Sequence, residues 1–255
     1  MKLTKLEVLL LFILINSCSV DEEHLENSNT NNKIKKIKDS ELKHEPPIIL
    51  YDDLPTKEED DSLSYFVIQG NHWDKTNLTY FHQNSTSDIA NNEERIAIRQ
   101  AFDLWSEVTP LVFSEVNAAT NADIVIAFEI GDHGDGSPFD NGGTVGSDGP
   151  RRNVLAHAFF PSPNDESLAG DIHFDDFENW TLDERAPFTG QPIDIVTVAA
   201  HEIGHALGLR HTDIEGALMY PSYNGSHRFL HFDDIEGIQT IYGSNLFETT
   251  PIIDN

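Results

Sequence analysis

Residues 201–211 read HEIGHALGLRH, and the spacing within this stretch governs how the rest of the chain is read. On a helix, positions four apart share a face about one turn apart, so His201 and His205 can turn their imidazoles toward one metal ion. Glu202 is rotated by about 100° from His201, which sets it beside the metal rather than in line with the histidines. Gly208 can take the positive φ that ends a helix and reverses the chain, letting His211 arrive as a third ligand. Three neutral imidazoles leave one corner of a tetrahedral zinc site open to water, as in catalytic zinc sites. Zinc acidifies that water toward a pKa of about 7 and polarises a carbonyl, and a carboxylate such as Glu202 can take the proton. A bare HExxH occurs by chance on ordinary amphipathic helices; Gly208 and His211 at this spacing make chance a remote explanation.

Outward from that helix, expected at 194–206, a further helix is expected at 233–242. Upstream, EERIAIRQAFDLWSEV (93–108) carries Ile96, Ala97, Phe102, Trp105 and Val108 near helical spacing, with Asn91 or Asn92 as N-cap and Pro110 closing it. The pattern becomes regular at YFVIQG (65–70), and strands are expected at 78–82, 111–116, 123–129, 154–160 and 171–174. Strands around one early helix, followed by a helical end, imply an α+β fold rather than a βαβ repeat.

Several segments carry a family resemblance. ALMYPSY (217–223) supplies Met219 for a methionine turn beneath the metal, and Thr212 follows the third histidine. GDHGDGSPFD (131–140), LAHAFFP (155–161), GDIHFDDFENWT (170–181) and DDIEGIQTIYG (233–243) follow in order. Together these resemble the matrixins, the matrix-metalloproteinase branch of the metzincins, over 65–243. The resemblance implies a metzincin catalytic domain: a twisted, mostly parallel sheet, three helices and an active-site cleft. It implies a zinc-dependent endopeptidase with Glu202 as base and His201, His205 and His211 on the catalytic zinc. A structural zinc would sit on His133, Asp135, His157 and His173, a closed set with no place for substrate. Residues 123–184 hold 14 acids against Arg151 and Arg152, a density that calls for cations. By resemblance Asp140, Asp175 and Glu178 bind one calcium, and Asp123 and Asp171 a second. The loop 141–153 is longer than usual in the family, so the carbonyls completing the first site stay open.

A substrate peptide could add as a strand along 155–159, at Leu155 and Ala156, with backbone hydrogen bonds supplying affinity. The main side pocket is expected beside the catalytic helix, walled by Pro221 and Tyr223, and the family leads one to expect a medium or large apolar residue just after the cut bond. Animal matrixins are kept latent by a propeptide cysteine, and this chain has no Cys after residue 18. A carboxylate can take the same coordination position: ILYDDLP (49–55) offers Asp52 or Asp53, and a resemblance to the pro-to-mature region of a bacterial matrixin points to Asp52.

The 255 residues carry 16 Lys+Arg against 44 Asp+Glu, a net charge of −28. Nucleic acid as a partner is thereby excluded; protein or peptide substrates and a monomer are expected. The expected organisation is a signal peptide at 1–17, a flexible tether at 18–45, a short propeptide at 46–64, the catalytic domain at 65–243 and a tail at 244–255. The apolar run within MKLTKLEVLLLFILINSC (1–18) is shorter than the ~20 residues a membrane span requires, and has the layout of a secretory signal. Cys18 either resembles the lipidated cysteine of bacterial lipoproteins or belongs to a cleaved signal. On the first reading the protein is exported to a bacterial surface and touches membrane only through its lipid. The competing reading of the whole chain is a non-catalytic binding protein on the same scaffold, against which the retained Glu202 stands.

Overall fold

A computed structural model describes residues 35–36, 48–51, 66–139, 154–162, 167–188 and 190–245. The chain divides into two compact units, 1–31 and 32–255, and every described residue lies in the second. Cys18, Asp52, Asp53, Asp140, the loop 141–153 and residues from 246 onward lie outside the described residues.

In chain order come β1 (Lys35–Lys36), β2 (Ile48–Tyr51), β3 (Val67–Ile68), β4 (Asn77–His82), α1 (Glu94–Ser106), β5 (Val112–Glu115), β6 (Ile124–Glu129), β7 (Val154–Ala158), β8 (Ile172–Asp175), β9 (Trp180–Thr181), β10 (Ile193–Asp194), α2 (Ile195–Ala206) and α3 (Phe232–Tyr242). The main sheet is ordered β2-β7-β8-β6-β4-β5. Strands β5, β4, β6 and β8 run parallel to one another, and β7 runs antiparallel to β8. The expected α+β fold with a mostly parallel sheet and three helices is what forms.

The pattern of the sequence explains this packing. In β4, Leu78, Tyr80 and His82 alternate inward and are buried. On α1, Ala97, Ile98, Ala101, Phe102 and Trp105 form one buried stripe, each large side chain contributing about 1.5–3 kcal/mol of burial free energy. Phe102 stacks on Tyr80 with ring centroids 4.5 Å apart, and Trp105 Nε1–H donates to Ala200 O at 2.9 Å. That bond ties α1 to α2, whose residues are all buried. The helix bearing HExxH is thus a core element, and its histidines inherit a fixed backbone.

Some local expectations fail for identifiable reasons. Asn91 and Asn92 do not cap α1: both have positive φ, 61° and 56°, and Glu93 is the N-cap without a side-chain bond. Asn tolerates left-handed backbone, so the pair makes a turn. The two-residue parallel ladder of β9 and β10 is too short to leave a periodicity, yet it delivers Asp194 to the N-cap of α2, where its carboxylate accepts from Val196 N–H. Within the expected tether, β1 pairs in parallel with β3. Within the expected propeptide, β2 lies antiparallel on β7, with Ile48 opposite Ala158, Ile49 opposite His157 and Leu50 opposite Ala156.

Candidate metal centres

His201 and His205 project from α2 one turn apart, and the chain then reverses at Gly208, whose φ is 105°. A β-carbon there would collide with Asn71 O. The reversal is held by Gln69 N–H to Gly208 O at 2.9 Å and Arg210 N–H to Val67 O at 2.8 Å, and it brings His211 back to the helix. The three Nε2 atoms lie 3.0 Å (His201–His205), 3.1 Å (His201–His211) and 3.2 Å (His205–His211) apart. His201 Nδ1–H donates to Leu218 O at 2.6 Å, and His205 Nδ1–H to Leu209 O at 2.7 Å. Those bonds leave unprotonated Nε2 lone pairs converging on one point, an arrangement that repels itself without a cation. Tetrahedral zinc with bonds of about 2.0–2.1 Å spaces its nitrogens by about 3.3 Å, so the donor set fits. Burial pushes His201 down to about 4, and drives His205 and His211 well below the ordinary histidine value. All three are therefore held neutral, the form that ligates metal.

Glu202 is fully buried, and neither carboxylate oxygen has a hydrogen-bond partner among the described residues. Burial raises its pKa well above the ordinary glutamate value. A solitary buried carboxyl is costly, and a dication beside it offsets that cost. Met219 lies against Gly204, where a β-carbon would collide with Met219 Sδ and come within 3.0 Å of Trp105. Asp234, at the start of α3, accepts from Leu218 N–H at 2.8 Å and Met219 N–H at 3.0 Å. It thereby fixes the turn whose Leu218 carbonyl orients His201. Sequence reading missed Asp234; its signal was an acid three residues after His231, a capping-box spacing the structure realises.

His133, Asp135, His157 and His173 form the second cluster, with ligand atoms within 4.8 Å of one another. Asp135 Oδ2 lies 2.8 Å from His133 Nε2, 2.7 Å from His157 Nε2 and 2.8 Å from His173 Nδ1. His133 Nδ1–H donates to Gly131 O at 2.9 Å, which turns an Nε2 lone pair toward a carboxylate oxygen; a cation between them resolves the clash. His157 Nε2 and His173 Nδ1 are also 3.2 Å apart, so the three nitrogens and one oxygen fit a tetrahedral metal. Burial raises the Asp135 carboxyl, but the adjacent His157 ring and a hydrogen bond from Ser137 N–H outweigh it and hold the group well below the usual carboxylate range. Burial pushes His157 down, and takes His173 to about 4.

Of the acids expected to bind calcium, Asp175 and Glu178 come together in the turn after β8, both buried, with Glu178 N–H donating to Asp175 O at 3.2 Å. Glu178 also accepts from Gln191 Nε2. Asp123 and Asp171 precede the adjacent parallel strands β6 and β8, and Asp171 accepts from Val125 N–H at 3.0 Å. Burial pushes Asp171 up to about 6. Asp123 Oδ1 holds the Lys75 ammonium at 2.6 Å, and Oδ2 accepts from Thr79 N–H at 2.8 Å and Thr79 Oγ1–H at 2.9 Å.

Leu155 and Ala156 lie buried on β7, whose outer edge is taken by β2. A pocket opens beside His201. Tyr223 lines it with Tyr220 and Ser222, whereas Pro221 between them does not. Burial pushes the Tyr223 hydroxyl up to about 12, so it stays a neutral hydrogen-bonding group.

Residues 72–243 match the family model described as matrixin. The chain is 46% identical over 178 residues to karilysin of Tannerella forsythia, covering 70% of this chain and 34% of that protein. It is 48% identical over 181 residues to the interstitial collagenase of Bos taurus, with 71% and 34% covered. Against the neutrophil collagenase of Homo sapiens it is 44% identical over 187 residues, with 72% and 36% covered. The chain thus spans about a third of the length of the curated relatives it matches. Three convergent imidazoles on a reversed helix, a second four-donor cluster and this degree of similarity over the same residues lead to one conclusion: the chain belongs to the matrixin family, whose members hold catalytic zinc, structural zinc and calcium.

Proposed function

We propose that the protein is a zinc-dependent endopeptidase that hydrolyses peptide bonds in proteins, with Glu202 as its general base. The observation that carries this is the buried Glu202 carboxylate, without a hydrogen-bond partner among the described residues, beside three Nε2 atoms within 3.2 Å of one another. Zinc bound there supplies a Lewis acid that polarises the scissile carbonyl and makes water a stronger acid. Glu202 accepts a proton from the attacking water as the new C–O bond forms, and passes it to the amine nitrogen as the C–N bond breaks. His201 and His205 stay in the ligating tautomer because Leu218 O and Leu209 O occupy their Nδ1–H groups. A substrate strand on the edge of β7 would gain backbone hydrogen bonds next to this centre. Denatured collagen or casein incubated with the protein, with and without a chelator and alongside Glu202→Ala, tests the assignment. Cleavage by the wild type alone, abolished by the chelator, is expected; equal cutting by both proteins would refute the mechanism.

The same reading makes the chain a zymogen. Residues 48–51 already sit on the β7 edge as β2, so the segment must leave before a substrate strand can bind. Asp52 follows β2 directly and supplies the carboxylate that blocks the zinc. The precursor carrying Asp52→Ala is expected to cleave substrate without processing; a fully latent variant would remove Asp52 from that role. Export on the 1–17 signal, with lipid on Cys18 holding the enzyme at a bacterial surface or releasing it after processing, completes the proposal. The mass of the native N-terminus tests it.

A further inference from the structure

The helix that carries HExxH closes on glycine. Gly208 N–H donates to His205 O and Leu209 N–H to Gly204 O, both at 2.9 Å, the bonding of a helix end that turns through a left-handed residue. Such a closure leaves the carbonyls of Ala206 and Leu207 without a partner inside the helix, and both residues are completely buried. Two aromatic side chains from opposite ends of the domain sequence fill the gap. Trp73 Nε1–H donates to Ala206 O at 2.9 Å, and Tyr242 O–H, from the last residue of α3, donates to Leu207 O at 2.8 Å. The two caps are joined to each other, since Trp73 N–H donates to the Tyr242 hydroxyl oxygen at 3.2 Å. Burial holds the Tyr242 hydroxyl well above the ordinary tyrosine value, so it keeps the proton it donates. The indole is packed so closely on Gly170 that a β-carbon there would lie 2.6 Å from Trp73 Cζ2.

The capped stretch leads directly to the support of a metal ligand. Leu209 O, two residues beyond Leu207, accepts from His205 Nδ1–H at 2.7 Å, the bond that aims His205 Nε2 at the other two imidazoles. Ala206 and Leu207 lie between His205 and that acceptor. A buried carbonyl that loses its donor is driven to find another, and any shift of these two carries Leu209 O with it. His201 is oriented from elsewhere, by Leu218 O on the turn that Asp234 fixes. We propose that Trp73 and Tyr242 are positioning residues for the histidine trio: by capping the end of α2 they hold Leu209 O in place for His205, and so set the affinity of the trio for zinc. Both act through the backbone and supply no ligand atom. The inference rests on the zinc-dependent reading of the trio.

The test reads the two metal centres separately in the full chain, by following histidine ring signals in NMR while zinc is withdrawn with increasing chelator. Tyr242→Phe keeps the ring and removes the oxygen that serves both Leu207 O and Trp73 N–H. The trio of this variant should lose zinc at about 10–100-fold lower chelator concentration, the scale on which outer hydrogen bonds tune a metal site, with the quartet around Asp135 unchanged. Its His205 Nδ1–H signal should exchange with water at least about tenfold faster, while that of His201 stays as in wild type. Trp73→Phe should weaken the trio in the same way, and the double variant should lose less than the two single effects combined, because the two caps are one bonded unit. Ile98→Val, a core change on α1 that lowers stability and breaks neither bond, should leave the affinity of the trio where it was. If Trp73→Phe does not fold, Tyr242→Phe carries the test alone. An unchanged trio in folded Tyr242→Phe, or an equal loss from both centres, overturns the proposal. Because metal is read directly, a wild type that holds zinc at the trio and cuts no casein would sink the endopeptidase reading alone.

Discussion

The trio His201, His205 and His211 and the quartet around Asp135 are built from the same imidazole chemistry. In the trio, Nε2 atoms converge from one helix and its reversal, and the carboxylate next to them, Glu202, stays out of the donor set with neither oxygen hydrogen-bonded among the described residues. In the quartet, the carboxylate is itself the hub, with Asp135 Oδ2 within 2.8 Å of three ring nitrogens. Where the acid completes the coordination sphere, the ion can only brace the fold; where it stands aside, a position stays open for chemistry. On the proposed function, one displaced carboxylate separates a structural centre from a reactive one.

The strongest way to break this contrast is Glu202→Gln, which keeps shape and removes the proposed base. Hydrolysis should fall by about 10²–10⁴-fold with metal content unchanged, as read by kcat/KM and metal analysis. A loss of metal would mean that Glu202 belongs to the donor set after all. Next is Asp135→Ala, which removes the hub of the quartet. It should cost about 4 kcal/mol, the scale of leaving one half of a buried charged pair uncompensated, seen in urea unfolding together with loss of one class of bound metal. If activity disappears in molecules that remain folded, the quartet is not merely structural.

His82 sharpens the comparison because it is a buried imidazole in neither cluster, with no partner on either nitrogen among the described residues. Burial pushes its pKa to about 4 from 6.5. As pH falls through 6.5 the unfolded chain takes up a proton that the folded chain refuses, so stability drops until about pH 4. The loss should total on the order of 3 kcal/mol, and His82→Phe should flatten that part of the profile. An unchanged pH profile would mean that His82 is solvated in solution. The smallest effect is expected at Lys75, half exposed on Asp123. Lys75→Ala should cost less than about 1 kcal/mol, while added calcium should raise the melting temperature of the variant more than that of wild type. Equal responses would show that Asp123 already binds calcium with Lys75 in place.

The histidine trio was legible because its information is local. Four-residue spacing, a glycine and a third histidine lie within eleven residues, and helical geometry converts that spacing into a shared face. The quartet draws from 133 to 173 and became legible only through the family resemblance, since no single histidine there has a distinctive spacing. The sheet and helices followed from hydrophobic periodicity in β4 and α1. Interactions set by the assembled tertiary structure stayed hidden. The Arg228–Asp194 ion pair joins residues 34 apart, the Lys75–Asp123 pair spans 48, and the β2–β7 ladder crosses about a hundred positions, none with a period to read. Asn91 and Asn92 misled because Asn serves equally well as a cap and as a left-handed turn residue.

The reversal at Gly208 leans on the first residues of the folded domain. Arg210 N–H bonds to Val67 O, Gln69 N–H bonds to Gly208 O, and Ile68 bridges Leu209. If the chain is processed as proposed, trimming therefore has an inner limit. A nick just ahead of Phe66 leaves this brace intact, whereas nibbling through Gln69 strips away the props that carry His211 to its place. On the proposed zymogen reading, a ragged amino terminus would leave His211 without its brace, and the exactness of that first cut would become a condition of metal binding.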